Sequence, residues 1–205
     1  MPSSAEIKKE IALGIYSAGL LNFGDFTFKS GIKSPMYMNL RNLGSHPKFL
    51  KTVSKAVGEI VEELQYDLLA GIPYGAIPLM MGVSLELEKS VIFPRKESKE
   101  YGMAKDIIGD FEAGQRVVVV DDLVTTGDSK IESMVPFDEA GLKVQDFVVI
   151  LDYDRGATEL LSQSGYTLHS VMTVAEAVDV IAAESLIDED MHARAKEFLA
   201  SLKNS

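Results

Sequence analysis

The sequence predicts an α/β fold: a doubly wound, mostly parallel five-stranded sheet with helices on both faces. Three observations carry this reading. Short apolar runs recur at residues 67–72, 90–94, 116–122, 144–151 and 167–172, each the length of a buried strand. Stretches with apolar residues at helical spacing separate them, the alternation expected of a parallel sheet covered by crossover helices. The chain has 205 residues, enough for one α/β domain burying roughly 70% of its unfolded surface and somewhat short for two. A single core over residues 1–205 is therefore expected.

Each element has its own warrant. Residues 4–19 read as an opening helix with Ile7, Ile11 and Ile15 on one face and a capping box from Ser3 to Glu6. After Ser45-His46-Pro47, a helix start, Phe49, Leu50, Val53, Val57, Ile60, Val61 and Leu64 keep helical spacing. The helix expected after residue 127 carries Pro136 inside its pattern, which predicts a kink or an early end. Thr173 and Glu176 form a capping box that opens a further helix, and Met191, Ala195, Phe198, Leu199 and Leu202 suit an amphipathic terminal one. Residues 96–114, KESKEYGMAKDIIGDFEAG, are charged and punctuated by glycine. A long irregular loop inside a compact domain is usually functional or disordered, and a lid is the reading adopted for it.

Composition narrows the function classes. With 46% apolar and 25% charged residues, and no apolar run near the roughly 18 residues that span a bilayer, neither a membrane nor a secretory segment is expected. A soluble protein with a cytoplasmic address fits. The absence of cysteine excludes disulfides and thiolate metal sites, and three scattered histidines, His46, His169 and His192, argue against a zinc centre. His169, inside an apolar strand, reads as a hydrogen-bonded packing residue, and the nine methionines read as core gap-fillers. A net charge of −11 argues against nonspecific binding to nucleic acid, so any polyanionic ligand has to be met locally. Two basic clusters stand out: Lys29 to Arg41 with three cations and Arg95 to Lys105 with four.

The most informative stretch is RVVVVDDLVTTGDSK, residues 116–130. A buried parallel strand delivers the residues at its end to the carboxyl edge of the sheet, where ligands of open α/β folds bind. Asp121 and Asp122 are adjacent on an extended chain and point to opposite sides, so one at most addresses a given ligand group directly while the other is left to hold the loop. Thr125, Thr126, Gly127 and Ser129 then lead into a helix whose first amides lack intrahelical partners, an arrangement that cradles phosphate. Carboxylates for sugar hydroxyls, with a phosphate site just beyond, spell ribose plus phosphate.

This stretch resembles the phosphoribosyl-pyrophosphate (PRPP) signature of the type I phosphoribosyltransferases. FTFKSGIKSPMYMNLR (26–41), GIPYGAIPL (71–79), PRKESKEYG (94–102) and GLKVQDFVVILD (141–152) are similar to segments of the orotate phosphoribosyltransferases: an amino-terminal signature, a pyrophosphate loop, a catalytic loop and the fourth strand. The likeness runs from about residue 20 to 200 and looks closest to the transferase half of the bifunctional UMP synthases, because Tyr101 stands where many bacterial members have histidine. It implies the type I phosphoribosyltransferase fold, with a small hood mainly from residues 1–45 on a core of about 46–205.

The resemblance also assigns residues. Asp121 and Asp122 face the ribose hydroxyls, and Leu123, Val124, Thr125, Thr126, Gly127, Asp128 and Ser129 form the 5-phosphate loop. Tyr74 and Gly75 belong to the pyrophosphate loop; Lys29, Arg95, Lys96, Lys99 and Tyr101 serve the diphosphate end, with Lys96 and Lys99 catalytic beside the two aspartates. Lys29, Phe28, Thr125 and Arg155 are assigned to orotate. The resemblance further implies Mg2+ carried by PRPP without a cage of protein ligands, a homodimer whose catalytic loops are shared between subunits, and a decarboxylase partner as an open question. Tyr153 stands where the family usually has an orotate-binding arginine; Arg155, two residues later, is on the same side if the chain stays extended. Asp128 places a negative charge inside the phosphate loop, where a first-turn cap with its side chain turned away would accommodate it. Two alternatives stay open: a transferase of this fold acting on another nucleobase, and a noncatalytic, nucleotide-sensing regulator that binds RNA, against which the acidic balance counts.

Overall fold

The computed structural model describes residues 4–28, 31–95 and 106–203. Helix α1 (Ser4–Ser17) leads into a hairpin of β1 (Leu21–Thr27) and β2 (Lys33–Met38), antiparallel to each other. A 3-10 turn (Leu40–Ser45), α2 (Pro47–Glu62), β3 (Leu68–Gly71), α3 (Ile77–Leu87) and β4 (Val91–Pro94) come next. Then come β5 (Ile107–Ile108), β6 (Arg116–Val124), α4 (Asp128–Glu132), α5 (Val135–Glu139), β7 (Lys143–Asp152), α6 (Ala157–Gln163), β8 (Thr167–Thr173), α7 (Val174–Ala183) and α8 (Glu189–Lys203). The main sheet runs β5-β4-β3-β6-β7-β8, with β3, β4, β6, β7 and β8 parallel and β5 antiparallel at one edge.

All five expected strands form. The sheet nevertheless has six strands instead of five, because Ile107 and Ile108, at the far end of the segment read as an irregular lid, pair with Phe93 and Pro94. A two-residue pairing is too short to leave a periodic trace in sequence. Residues 96–105, which belong to that segment, lie outside the described residues, as does Ser3 of the expected first cap. The helix after Gly127 stops at Glu132 and restarts as α5 with Pro136 in its first turn, as a missing N–H and a fixed φ require. Thr173 Oγ1 accepts the Glu176 amide while the Glu176 carboxylate accepts the Thr173 amide, a complete capping box.

Period-two alternation along β6 sorts the core into two layers. Val118 and Val120 pack with Val148 and Ile150 against α2, α3 and α7. Val117 and Val119 pack with Phe147 against Met134, Phe137 and Leu161 on the α4–α6 side. Each of these valines is at most 2% exposed, which is why the strand reads as a continuous apolar run and not as an alternating one. The hood is not closed by residues 1–45 alone. Ala195 and Leu199 of α8 share one cluster with Leu20, Leu21 and Met36, and Arg194 of α8 pairs with Asp25 of β1. Among the described residues no helix is long and apolar enough to cross a membrane.

Candidate active site

The alternation that divides the core also divides the two acids. Asp121 continues the face of Val117 and Val119, so its side chain turns toward α4; Asp122 continues the face of Val118 and Val120 and turns toward the hood. Asp121 is 4% exposed and its Oδ2 is bonded to the Lys130 ammonium of α4. Its Oδ1 accepts the Asp122 amide at 2.8 Å. Burial pushes the Asp121 carboxyl up, to about 7, against the pull of the Lys130 ammonium and with the push of neighbouring Asp122. Asp122 Oδ1 accepts the Leu123 amide at 2.8 Å, and its Oδ2 lies against Gly75, where a β-carbon would sit 3.0 Å away.

A cleft of about 510 Å3 opens here. Its walls are Tyr37 to Arg41 at the end of the hairpin, Ile72 to Gly75 after β3, and Asp121 to Leu123 with Lys130 below. The Pro73–Tyr74 peptide is cis. A larger groove of about 730 Å3 lies between the hairpin and α8, lined by residues such as Lys33, Ser34 and Arg194. It lacks the acid pair, which lines the smaller cleft at the carboxyl edge of the sheet, so the chemistry belongs there. Beyond Asp122 the loop turns at Gly127, whose φ of +96° puts it in the left-handed region that favours glycine. The Lys130 amide closes that turn on the Gly127 carbonyl at 2.9 Å. Thr125, Asp128 and Ser129 are exposed there. Thr126 Oγ1 donates to the Asp128 carboxylate at 2.6 Å, so Asp128 accepts a hydroxyl inside the loop and caps no backbone amide.

Three comparisons with known proteins bear on this cleft. Residues 39–180 match the phosphoribosyl transferase domain family. Orotate phosphoribosyltransferase of Methanopyrus kandleri is 36% identical over 178 residues, 87% of this chain and 96% of that protein. The chain belongs to the orotate phosphoribosyltransferase family. A bifunctional enzyme PyrF/PyrE of Nostoc sp. is 38% identical over 88% of the chain and 38% of its own length. The solved UMP synthase of Leishmania donovani superposes with a TM-score of 0.86 at 32% identity, covering 95% of this chain and 42% of that one. The chain thus spans about two fifths of the length of the bifunctional relatives it matches.

For an orotate phosphoribosyltransferase family member, the placement of the expected site residues is uneven. Asp121, Asp122, Leu123, Tyr74 and Gly75 meet at the cleft. Val124 is 1% exposed and packs with Val149 and Ala157, so only its backbone faces the loop. Arg95 is exposed at the end of β4, its amide donating to the Asp106 carbonyl at 2.7 Å. Phe28 is exposed at the hairpin tip, its amide bonded to the Ile32 carbonyl at 2.9 Å, and does not line the cleft. Lys29, Lys96, Lys99 and Tyr101 lie outside the described residues. The condition placed on Arg155 is not met: Asp154 has φ +55°, so the chain leaves its extended path, and Arg155 Nε donates to the Leu202 carbonyl of α8 at 2.9 Å.

Sequence reasoning misses Lys130, together with the wall residues Tyr37 and Asn39. A signal for Lys130 exists: it stands in helical phase with Met134 and Phe137, which are 1% and 0% exposed, so a lysine interrupts an apolar face. His169 behaves as expected, bonded to Asp146 at 2.8 Å.

Proposed function

We propose that the chain transfers the 5-phosphoribosyl group of PRPP to N1 of orotate, giving orotidine 5-phosphate and pyrophosphate in pyrimidine biosynthesis. The observation that carries this is the cleft at the end of β6, where one carboxylate of the acid pair faces the cavity and a glycine-pivoted, hydroxyl-bearing loop begins within five residues. In this reading Asp122 accepts hydrogen bonds from the ribose hydroxyls, Asp121 fixes the loop from below, and Thr125 to Ser129 receive the 5-phosphate. The activity for which the Methanopyrus relative is named supports orotate as the base.

Displacement at C1 of the ribose develops positive charge on the sugar and negative charge on the departing diphosphate, so cations aimed at the diphosphate lower the barrier. Arg41, on the cleft wall, joins Lys29, Arg95, Lys96 and Lys99 as candidates. Losing one such group typically costs ~10² to 10³ in rate. The cleft is lined by the acids Asp121 and Asp122, oxygen chemistry compatible with Mg2+ held by the diphosphate and ribose hydroxyls of PRPP; the ion would neutralise part of the diphosphate charge. A homodimer with shared catalytic loops, a cytoplasmic address and association with an orotidine 5-phosphate decarboxylase belong to the same reading, the last supported by the names of the bifunctional relatives.

The test is base selectivity. The protein is incubated with PRPP, Mg2+ and either orotate or purine bases while base absorbance is followed. Turnover of orotate is expected, and turnover of hypoxanthine with none of orotate overturns the assignment.

A further inference from the structure

Lys130 is 8% exposed. A buried ammonium is costly unless it is paired and bonded, and this one is satisfied by Asp121. From that pair a line of bonds runs to the ligand side of the sheet. Asp121 Oδ1 takes the Asp122 amide at 2.8 Å, and Asp122 Oδ1 takes the Leu123 amide at 2.8 Å, which leaves Asp122 Oδ2 against Gly75 at the cleft wall. The first turn of α4 is thereby tied to the backbone that aims Asp122.

We infer that Lys130 is a positioning residue for PRPP: by gripping Asp121 beneath the cleft it fixes the direction in which the Asp122 carboxylate meets the ribose. The inference rests on the PRPP reading of the cleft. Lys130 acts from below, through Asp121. Lys130 lines the cleft beside Asp121, and its ammonium is bonded to that carboxylate. The charged groups facing Asp121 are Lys130 from α4 and Asp122 from its own strand. Because the ammonium is the main influence holding the Asp121 carboxyl down against burial, its removal should carry that carboxyl further up.

The experiment uses the full chain and the variants Lys130→Met, Lys130→Arg, Asp121→Asn and the double Lys130→Met/Asp121→Asn. PRPP dissociation constants are measured by calorimetry, KM for each substrate by turnover, and folding by thermal melts. Outer-shell partners of a binding group typically command roughly 10-fold to 100-fold in affinity or activity. Lys130→Met should weaken PRPP by a factor in that range, leave KM for orotate within about threefold, and move the acid limb of PRPP binding to higher pH. Lys130→Arg should recover part of the loss. The double variant should bind PRPP no worse than Asp121→Asn alone, the signature of a residue acting through its partner.

A folded Lys130→Met with PRPP affinity within twofold of the parent overturns the inference. So does a double variant whose loss is the product of the two single losses, since Lys130 would then touch the ligand itself. If Lys130→Met does not melt cooperatively, Lys130→Arg decides: weakened PRPP with orotate unchanged supports the role, and no change in either rejects it. Parent protein that binds PRPP without turning over orotate would refute the assigned reaction, while calorimetry would still judge Lys130.

Discussion

β6 and β7 lie side by side, carry acids toward the same sheet edge, Asp121 and Asp122 on β6 and Asp152 on β7, and lead through a left-handed glycine into a short helix. Val124 pairs with Asp152 in register, Gly127 has φ +96° and Gly156 φ +82°, and each glycine stands at the N-cap of the next helix, α4 or α6. Only the first of these ends is a binding site in our reading. The difference lies in the environment above the strand. After β6 the loop is small, bears hydroxyls and leaves Thr125, Asp128 and Ser129 exposed, beyond the cleft lined by Asp121, Asp122, Leu123 and Lys130. After β7 the loop is covered by the end of α8, through the Arg155 to Leu202 bond and the Lys203–Asp154 ion pair. Near-identical backbone grammar yields a ligand site where the edge is left open and a brace where the chain closes over it.

The two strand ends should differ most at their acids. Asp122→Asn should lower kcat/KM for PRPP by ~10² to 10³, the size of effect expected when a preorganised group at the reacting sugar is lost. Asp152→Asn should change it by less than about twofold, because Asp152 is 8% exposed and its Oδ1 is occupied by the Asp154 amide at 2.7 Å, which an asparagine oxygen can also accept. Parallel steady-state assays check both, and comparable losses would mean that the two strand ends are not functionally distinct.

The two acids also predict a direction for stability. Burial holds the Asp121 carboxyl up, to about 7, and raises that of Asp152 as well. Between the ordinary aspartate value and these raised values the native state binds more protons than the unfolded chain, so stability should fall as pH rises through that window. Asp152→Asn should flatten part of that slope, read from melting temperatures between about pH 4 and pH 7. A slope of the opposite sign in a background with Asp179 and Glu176 replaced would contradict it; burial notwithstanding, their lysine partners hold both below the usual range.

Much of this contrast is readable in sequence, but on one side only. The valine run of β6 announces a central strand, Asp121-Asp122 mark the strand end where the candidate cleft lies, and Pro136 announces the break between α4 and α5. These are local signals, set by backbone propensity and by the groups a strand end can present. The expectation for Arg155 fails in its premise because the turn at Asp154 and the cover from α8 depend on a contact across 47 residues. Lys130 escapes for a related reason: a lysine nine residues beyond an aspartate has no fixed relation to it until strand and helix pack together. The shared hood is likewise a property of tertiary packing, since its apolar faces come from both ends of the chain.

The two glycines differ on a smaller scale. A β-carbon at either position meets the left-handed penalty, about 1 kcal/mol or slightly more. A β-carbon at Gly127 would reach Leu161 and Ala157 at 3.5 to 3.6 Å, ordinary van der Waals contact, and one at Gly156 meets nothing within 4 Å, so neither position adds a clash. Both alanine variants should therefore lose stability in denaturant unfolding, and by similar amounts. Only Gly127→Ala should also raise KM for PRPP, because it moves the loop assigned to the phosphate.

The smallest effects belong to the brace over β7. Arg155→Ala removes a bond from a charged donor to a half-covered carbonyl and should lower the melting temperature while shifting KM for orotate and PRPP by the same small factor. A rise in KM for orotate alone would return Arg155 to the base site. Lys203→Ala should do less. Both partners of the Lys203–Asp154 pair are about half exposed, at 46% and 57% of their side-chain surface, so water screens the attraction and the ordering of a long side chain offsets it; such pairs contribute at most about 1 kcal/mol. A loss well above that, measured in denaturant and diminishing with added salt, would show that the end of α8 is held onto the β7 loop by charge more than by the packing of Ala195 and Leu199.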